Sequence, residues 1–97
     1  MAVITANKIG EIAPTNNVHK EIVLETLATA VSADTLAVTL SDYGCTKFVG
    51  IIGQVHTTED SVIVAEAPTT AVSAGVLTIT VGGSAVTKKR TYKVLMR

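Results

Sequence analysis

From Glu21 onward the chain alternates apolar and polar residues with the two-residue period of half-buried strands. The alternation is strictest at Thr35 to Leu40, where Leu36, Val38 and Leu40 share one face and Thr35, Ala37 and Thr39 the other. Val76 to Val81 repeats it, with Leu77, Ile79 and Val81 inward and Thr78 and Thr80 outward. Thr91 to Met96 sets Tyr92, Val94 and Met96 on one side, and Ser61 to Ala65 reads as a further short strand. Lys47 to Val55 is apolar on both faces, Val49, Ile51 and Val55 on one and Phe48 and Ile52 on the other. Such a strand is either central or covered by another subunit. Gly50 and Gly53 interrupt it, the mark of a bulge or of close backbone approach. Ser41-Asp42-Tyr43-Gly44 and Gly82-Gly83 are turn signals.

Periodicity is weaker in the first seventeen residues, which end in the turn formers Pro14-Thr15-Asn16-Asn17. Residues 1–17 read as an arm and loop, and residues 18–97 as a single β domain. Within the arm, Val3-Ile4-Thr5 and Ile9-Gly10-Glu11-Ile12 have the alternation to add as a strand to a sheet, this chain's own or a neighbour's.

The chain also repeats itself at an offset of 41 residues. Residues 21–40 (EIVLETLATAVSADTLAVTL) and 62–81 (VIVAEAPTTAVSAGVLTITV) are identical at ten of twenty positions, including an unbroken Thr-Ala-Val-Ser-Ala. Alone, Val23, Leu24, Leu27, Ala28 and Val31 fit one face of a helix. The residue matching Leu27 is Pro68, which inside a helix would cost about 3 kcal/mol. Each copy therefore reads as strand, loop, strand: Glu21 to Glu25 paired with Thr35 to Leu40, and Val62 to Ala65 paired with Leu77 to Val81. The shared Thr-Ala-Val-Ser-Ala makes the connection. Adding the strands after Gly44 and Gly83 gives two three-stranded units. The expected fold is an all-β, small antiparallel sandwich or barrel of about six to seven strands with an N-terminal arm.

Composition narrows function more than it defines it. The chain is 47% hydrophobic but 3% aromatic, with no Trp, so Val, Ile, Leu and Ala must fill the core. A domain of 97 residues buries only about two-thirds of the surface its unfolded chain exposes. A homo-oligomer or lattice-bound state is expected on that ground. Eight basic residues balance eight acidic ones, leaving no field to gather phosphates, so a nucleic-acid partner is not expected. The cluster Lys88-Lys89-Arg90 reads as a solvated turn between strands. No run approaches the roughly 18 apolar residues that cross a bilayer, so no membrane partner is expected. Met1 to Thr5 lacks a basic lead-in and a long apolar region, and the chain is expected to be made in a cytoplasm, in keeping with its single Cys45.

Chemistry-bearing residues are few. His19, His56 and Cys45 have no spacing that suggests a metal site, and no cofactor is expected. His56-Thr57-Thr58-Glu59-Asp60 reads as a polar hairpin tip. Cys45 reads as a small buried filler rather than a nucleophile, because no base is bound to approach it. The expectation is that the chain is not an enzyme. The shortage of aromatic rings also weighs against sugar platforms and against base stacking.

The Thr/Ala/Val/Gly texture of residues 62–83, with the loop Ala-Pro-Thr-Thr-Ala-Val-Ser-Ala-Gly, and the strand-rich segment 48–58 resemble small structural proteins of tailed-bacteriophage virions, most of all capsid decoration (cement) proteins. The resemblance implies a virion location, the major capsid protein or another virion protein as partner, and a role in bridging capsid subunits. Under that reading the interface residues are Val3, Ile4, Ile9 and Ile12 of the arm and Phe48 and Ile52 of the two-sided strand. Alternatives are a tail, neck or fibre component of a phage, or a small cytoplasmic peptide- or glycan-binding β domain.

Overall fold

Alternation with a two-residue period becomes extended backbone throughout. The computed structural model describes residues 2–12, 20–83 and 86–97. Among these, eight strands run as β1 (Ala6–Ile12), β2 (Lys20–Thr26), β3 (Thr35–Thr39), β4 (Phe48–Thr58), β5 (Val62–Ala65), β6 (Thr69–Ser73), β7 (Val76–Thr80) and β8 (Arg90–Met96). The turn expected after β3 is one turn of 3-10 helix, Leu40–Tyr43, closed by left-handed Gly44. The Pro14-Thr15-Asn16-Asn17 loop and His19 lie outside the described residues.

The strands form an antiparallel β-sandwich of two sheets, ordered β1-β2-β8-β4-β5 and β3-β7-β6. Its shortest extent, 18 Å, suits two sheets about 10 Å apart with side chains on their outer faces. The core between them is aliphatic: Ile22, Leu24, Leu36, Val38, Leu40, Leu77, Ile79, Val81, Val94 and Met96, with Cys45 and the ring of Tyr92.

The pairing expected from the repeat is overturned. β2 pairs with β1 and β8, β5 with β4, and β3 with β7, so neither half is a separate three-stranded unit. Hairpin partners would place the apolar stripes Ile22/Leu24 and Leu36/Val38 side by side on one face, with nothing over them. Placing β2 and β3 in opposite sheets lets the two stripes cover one another.

The offset of 41 nevertheless organises the fold. Shifted by 41, the ends of β3 fall on Val76 and Thr80, the ends of β7. Ala37 stands opposite Thr78, its own counterpart, and Ile52 opposite Lys93, its own counterpart. One such self-pairing falls in each sheet, so each has a local two-fold axis between its paired, related strands. The order β2-β8-β4-β5 reads the same from either end when the halves are exchanged.

Three features break this symmetry. β1 covers the outer edge of β2, and no described strand covers the corresponding edge of β5. β5 is also turned over: Val64 pairs with inward Val55, whereas the counterparts of inward Ile22 and Leu24 are Ile63 and Ala65. An odd displacement along a strand exchanges its two faces. The third feature is the shared Thr-Ala-Val-Ser-Ala. Its second copy is mostly strand β6, which the sequence reading placed in a connection, and its first copy is turns.

A position at which the two copies differ fixes that contrast. Asp34 accepts the N–H of Val31 (3.0 Å) and of Ala2 (3.1 Å), folding the first copy into a turn. The matching residue in the second copy is Gly75, which with Ala74 takes positive φ (78° and 52°) and closes a two-residue hairpin between β6 and β7.

Both expectations for the β4 glycines are met. A bulge between Phe48 and Gly50 shifts the register, and a Cβ on Gly53 would collide with the Glu66 carbonyl oxygen and the Pro68 ring. The bulge also corrects the face assignment. Phe48 joins Ile51 against the core, while Val49 joins Ile52 on the outside.

Lys88-Lys89-Arg90 is not a solvated turn. Arg90 is fully buried and holds the halves together: its Nε donates to Glu66 (2.9 Å), and its Nη1 donates to the carbonyls of Ala30, Val86 and Lys88. Its backbone N–H donates to Thr26 Oγ1 (2.9 Å). A guanidinium supplies five donors in a rigid fork, enough to gather these acceptors where an ammonium could not.

Candidate functional site

The candidate surface is built from strand faces and edges. On the outer face of the five-stranded sheet, antiparallel partners share a side. One rung therefore runs Ile12, Glu21, Leu95, Gly50, and the next Gly10, Val23, Lys93, Ile52. Ile12 and Ile52 are 58% and 51% exposed and flank this face, and Lys93 ion-pairs with Glu21 across it (2.6 Å). The result is an apolar surface with its charges internally matched.

The other residues expected at an interface are dispersed. Ile9 sits at a bulge between Lys8 and Gly10 and is exposed. Val3 makes a single parallel bridge to Thr35 at the edge of β3 and is also exposed, whereas Ile4 is half-buried against the core. Val3, Ile4, Thr5 and Ala6 wall a groove of about 350 Å³, with Leu24, Leu36 and Val38 also lining it and Asp42 and Tyr43 among the polar groups there. Lys8 lies 5.3 Å from the centre of the Tyr43 ring. Phe48 faces the core, so the structure groups Ile12 with Ile52, groups Val3 with Ile4, and leaves Phe48 apart from both.

Polar side chains are tied into the framework. His56 is buried, its Nδ1 accepting the N–H of Asp60 (3.1 Å) and its Nε2 lying 2.9 Å from Thr91 Oγ1. A nitrogen that accepts from a backbone N–H carries no proton, so Nε2 bears the hydrogen and donates to the threonine. Ser61 donates its N–H to Thr58, and Asp60 has φ 59°, completing the polar tip of the β4–β5 hairpin. Lys89 donates to Asp60 at 2.6 Å and lies 3.5 Å from Glu25. The hydrogen bond from Lys89 holds the Asp60 carboxyl below its ordinary range, and the same bond holds the Lys89 ammonium above its own. Burial pushes the Tyr92 hydroxyl up to about 12, with the Glu66 carboxylate adding to the effect. Cys45 is buried, its thiol 3.4 Å from the Tyr43 carbonyl. Among the described residues, no three of His, Cys, Asp and Glu gather where they could hold a metal ion.

No protein-family model, curated protein or solved structure matches this chain. Its surface must therefore be read from its own geometry.

The sequence reading missed the longest run of exposed apolar residues among those described. Val62, Ile63 and Val64 of β5 are 49%, 44% and 46% exposed, and Val72 of β6 is 47% exposed. Every residue of both strands is exposed. The signal was present: Val62 to Val64 is apolar at consecutive positions, the two-faced pattern also seen in Lys47 to Val55.

Proposed function

We propose that this chain is a virion structural protein that binds the outer surface of a capsid and stabilises the shell by bridging major capsid subunits. The observation that carries the reading is the placing of large aliphatic side chains on strand faces and edges rather than in a single pocket. Among the described residues eleven are exposed, including Ile12, Val49 and Ile52 on β1 and β4 and Val62 to Val64 on β5. Surface of this kind suits broad, shallow contact with other protein.

The outer face of the five-stranded sheet is the proposed capsid contact, with Ile12 and Ile52 as its apolar anchors. Balanced charge agrees with this, because a neutral chain can crowd onto a lattice without repelling its neighbours. Modest affinity per copy suffices where many contacts act together on one particle.

The test is co-sedimentation with shells assembled from the cognate major capsid protein, followed by their thermal rupture. Wild-type protein is expected to sediment with shells and raise the rupture temperature, and Ile12→Lys with Ile52→Lys to lose both effects. Wild-type protein that stays in the supernatant and leaves rupture unchanged defeats the proposal.

A further inference from the structure

The five-stranded sheet ends differently on its two sides. At the β1 edge Lys8 and Lys20 lie 3.5 Å and 3.9 Å from Glu11, and a bulge interrupts the strand at Ile9. Charges and bulges discourage the addition of another strand. On β5 itself neither is present: Val62 to Ala65 is uncharged, the register shift in its ladder lies in β4 between His56 and Thr58, and the strand is exposed on both faces and paired on its outer side with no described strand. Glu66 donates its N–H to Gly53 (3.0 Å), so alternation along the ladder turns the backbone groups of Ala65 and Ile63 away from β4. β6 ends the other sheet, joined to β5 through residues 66–68, and is likewise exposed throughout.

We propose that β5 is a homodimer edge, pairing antiparallel with β5 of a second copy about a two-fold axis perpendicular to the sheet. The two five-stranded sheets then become one continuous sheet.

Register and charge select a second copy as the occupant. Opposed residues must both direct their backbone groups outward for hydrogen bonds to be exchanged. Centring the pair on Val64 meets this condition. Ile63 then faces Ala65 of the second copy, Glu66 faces Val62, and Asp60 faces Pro68, so no acid opposes an acid. Centring on Ile63 would set Asp60 against Glu66, like charges whose opposition is destabilising. Of these two registers, which overlap β5 most fully, the one centred on Val64 is thus self-complementary. The chain already folds around an axis of the same kind, where Ile52 meets Lys93 in this same sheet. The pairing concerns the free chain and does not depend on capsid binding.

Light scattering on the purified full chain, without shells, tests it. The expected wild-type mass is twice the 10.0 kDa of one chain. Ala65→Pro removes an outward N–H and spares the β4 ladder, and proline is tolerated at such an edge position. It is expected to give the single-chain mass with an unchanged far-ultraviolet circular dichroism spectrum. Ile63→Lys, at an exposed site, is expected to do the same and carries the test should the proline variant fail to fold. A wild-type mass of one chain at every concentration overturns the proposal, as does a dimer that survives both substitutions. A monomer whose β5 amides gain hydrogen-exchange protection only on shells also overturns it, assigning the edge to a capsid strand.

Discussion

Residues 29–33 and 70–74 have the same sequence, Thr-Ala-Val-Ser-Ala, and play opposite parts. In the first copy Ala30 is buried and its carbonyl accepts from Arg90, while Asp34 ties the segment into turns. In the second, Ala71 and Val72 are exposed in a strand that hairpins onto β7. The same contrast runs through the strands beside them, where Ile22 is 0% exposed and its counterpart Ile63 is 44%. Local sequence here permits either outcome. The choice rests on flanking residues that differ, Leu27 against Pro68 and Asp34 against Gly75, and on one distant arginine. The first half is closed by the arm and by Asp34. The second half keeps its edges open, which is where the proposed self-association lies.

The comparison breaks most severely at Arg90. Arg90→Met leaves the Glu66 carboxylate and several carbonyls without their shared donor, and loss of one member of a buried pair costs about 3–5 kcal/mol. Urea unfolding should show that loss, with partial recovery when Glu66→Gln is added. Recovery would separate the cost of the buried Glu66 charge from that of the lost hydrogen bonds.

Next in size is the pair Ile22→Ala and Ile63→Ala. The buried member is expected to lose roughly 2–5 kcal/mol, and the exposed one about 0.5 kcal/mol or less under conditions where the chain is monomeric. Equal losses would mean that β5 is covered as β2 is. Denaturant midpoints at constant m-value decide between them.

Tyr92 tests whether the second half is loose throughout or only at its edges. Its hydroxyl is held neutral to about pH 12 by burial, while an unfolded tyrosine ionises near pH 10. Between those values the unfolded chain binds fewer protons, so stability falls as pH rises, by on the order of 2–3 kcal/mol in all. Stability measured from pH 9 to 12 should show this decline, and Tyr92→Phe should flatten it.

The smallest effects come from exchanging the turn residues. Asp34→Gly removes the acceptor for two N–H groups and should cost about 1–2 kcal/mol. Gly75→Asp places a side chain at φ 78° and should cost roughly 1 kcal/mol. A double exchange that restored stability would show that the two turns are interchangeable; the distinct partners of each predict that it will not.

Much of the fold was legible because side-chain period records which face is covered. Leu36, Val38, Leu77, Ile79, Val81, Tyr92, Val94 and Met96 are all buried as their alternation predicts. Pro68 correctly excluded a helix from the repeat. Of the proposed interface, Ile12 and Ile52 were legible as apolar residues of the arm and of the two-sided strand, and only the strand order put them on one face. Phe48 could not, because the bulge beside it reversed the parity of a strand that is apolar on both sides. The Arg90 network was illegible because its acceptors come from residues 26, 30, 66, 86 and 88.

By itself the sequence determined that this chain is all-β, where most strands run, which faces the strictly alternating ones bury, and that two segments are related by an offset of 41. Those properties follow from residue type and local period. Tertiary structure alone decided that the halves interleave, that identical pentapeptides diverge, that a basic residue becomes the central buried strut, and that β5 stays open. Each depends on which distant backbone groups meet, and no local pattern in a chain encodes that.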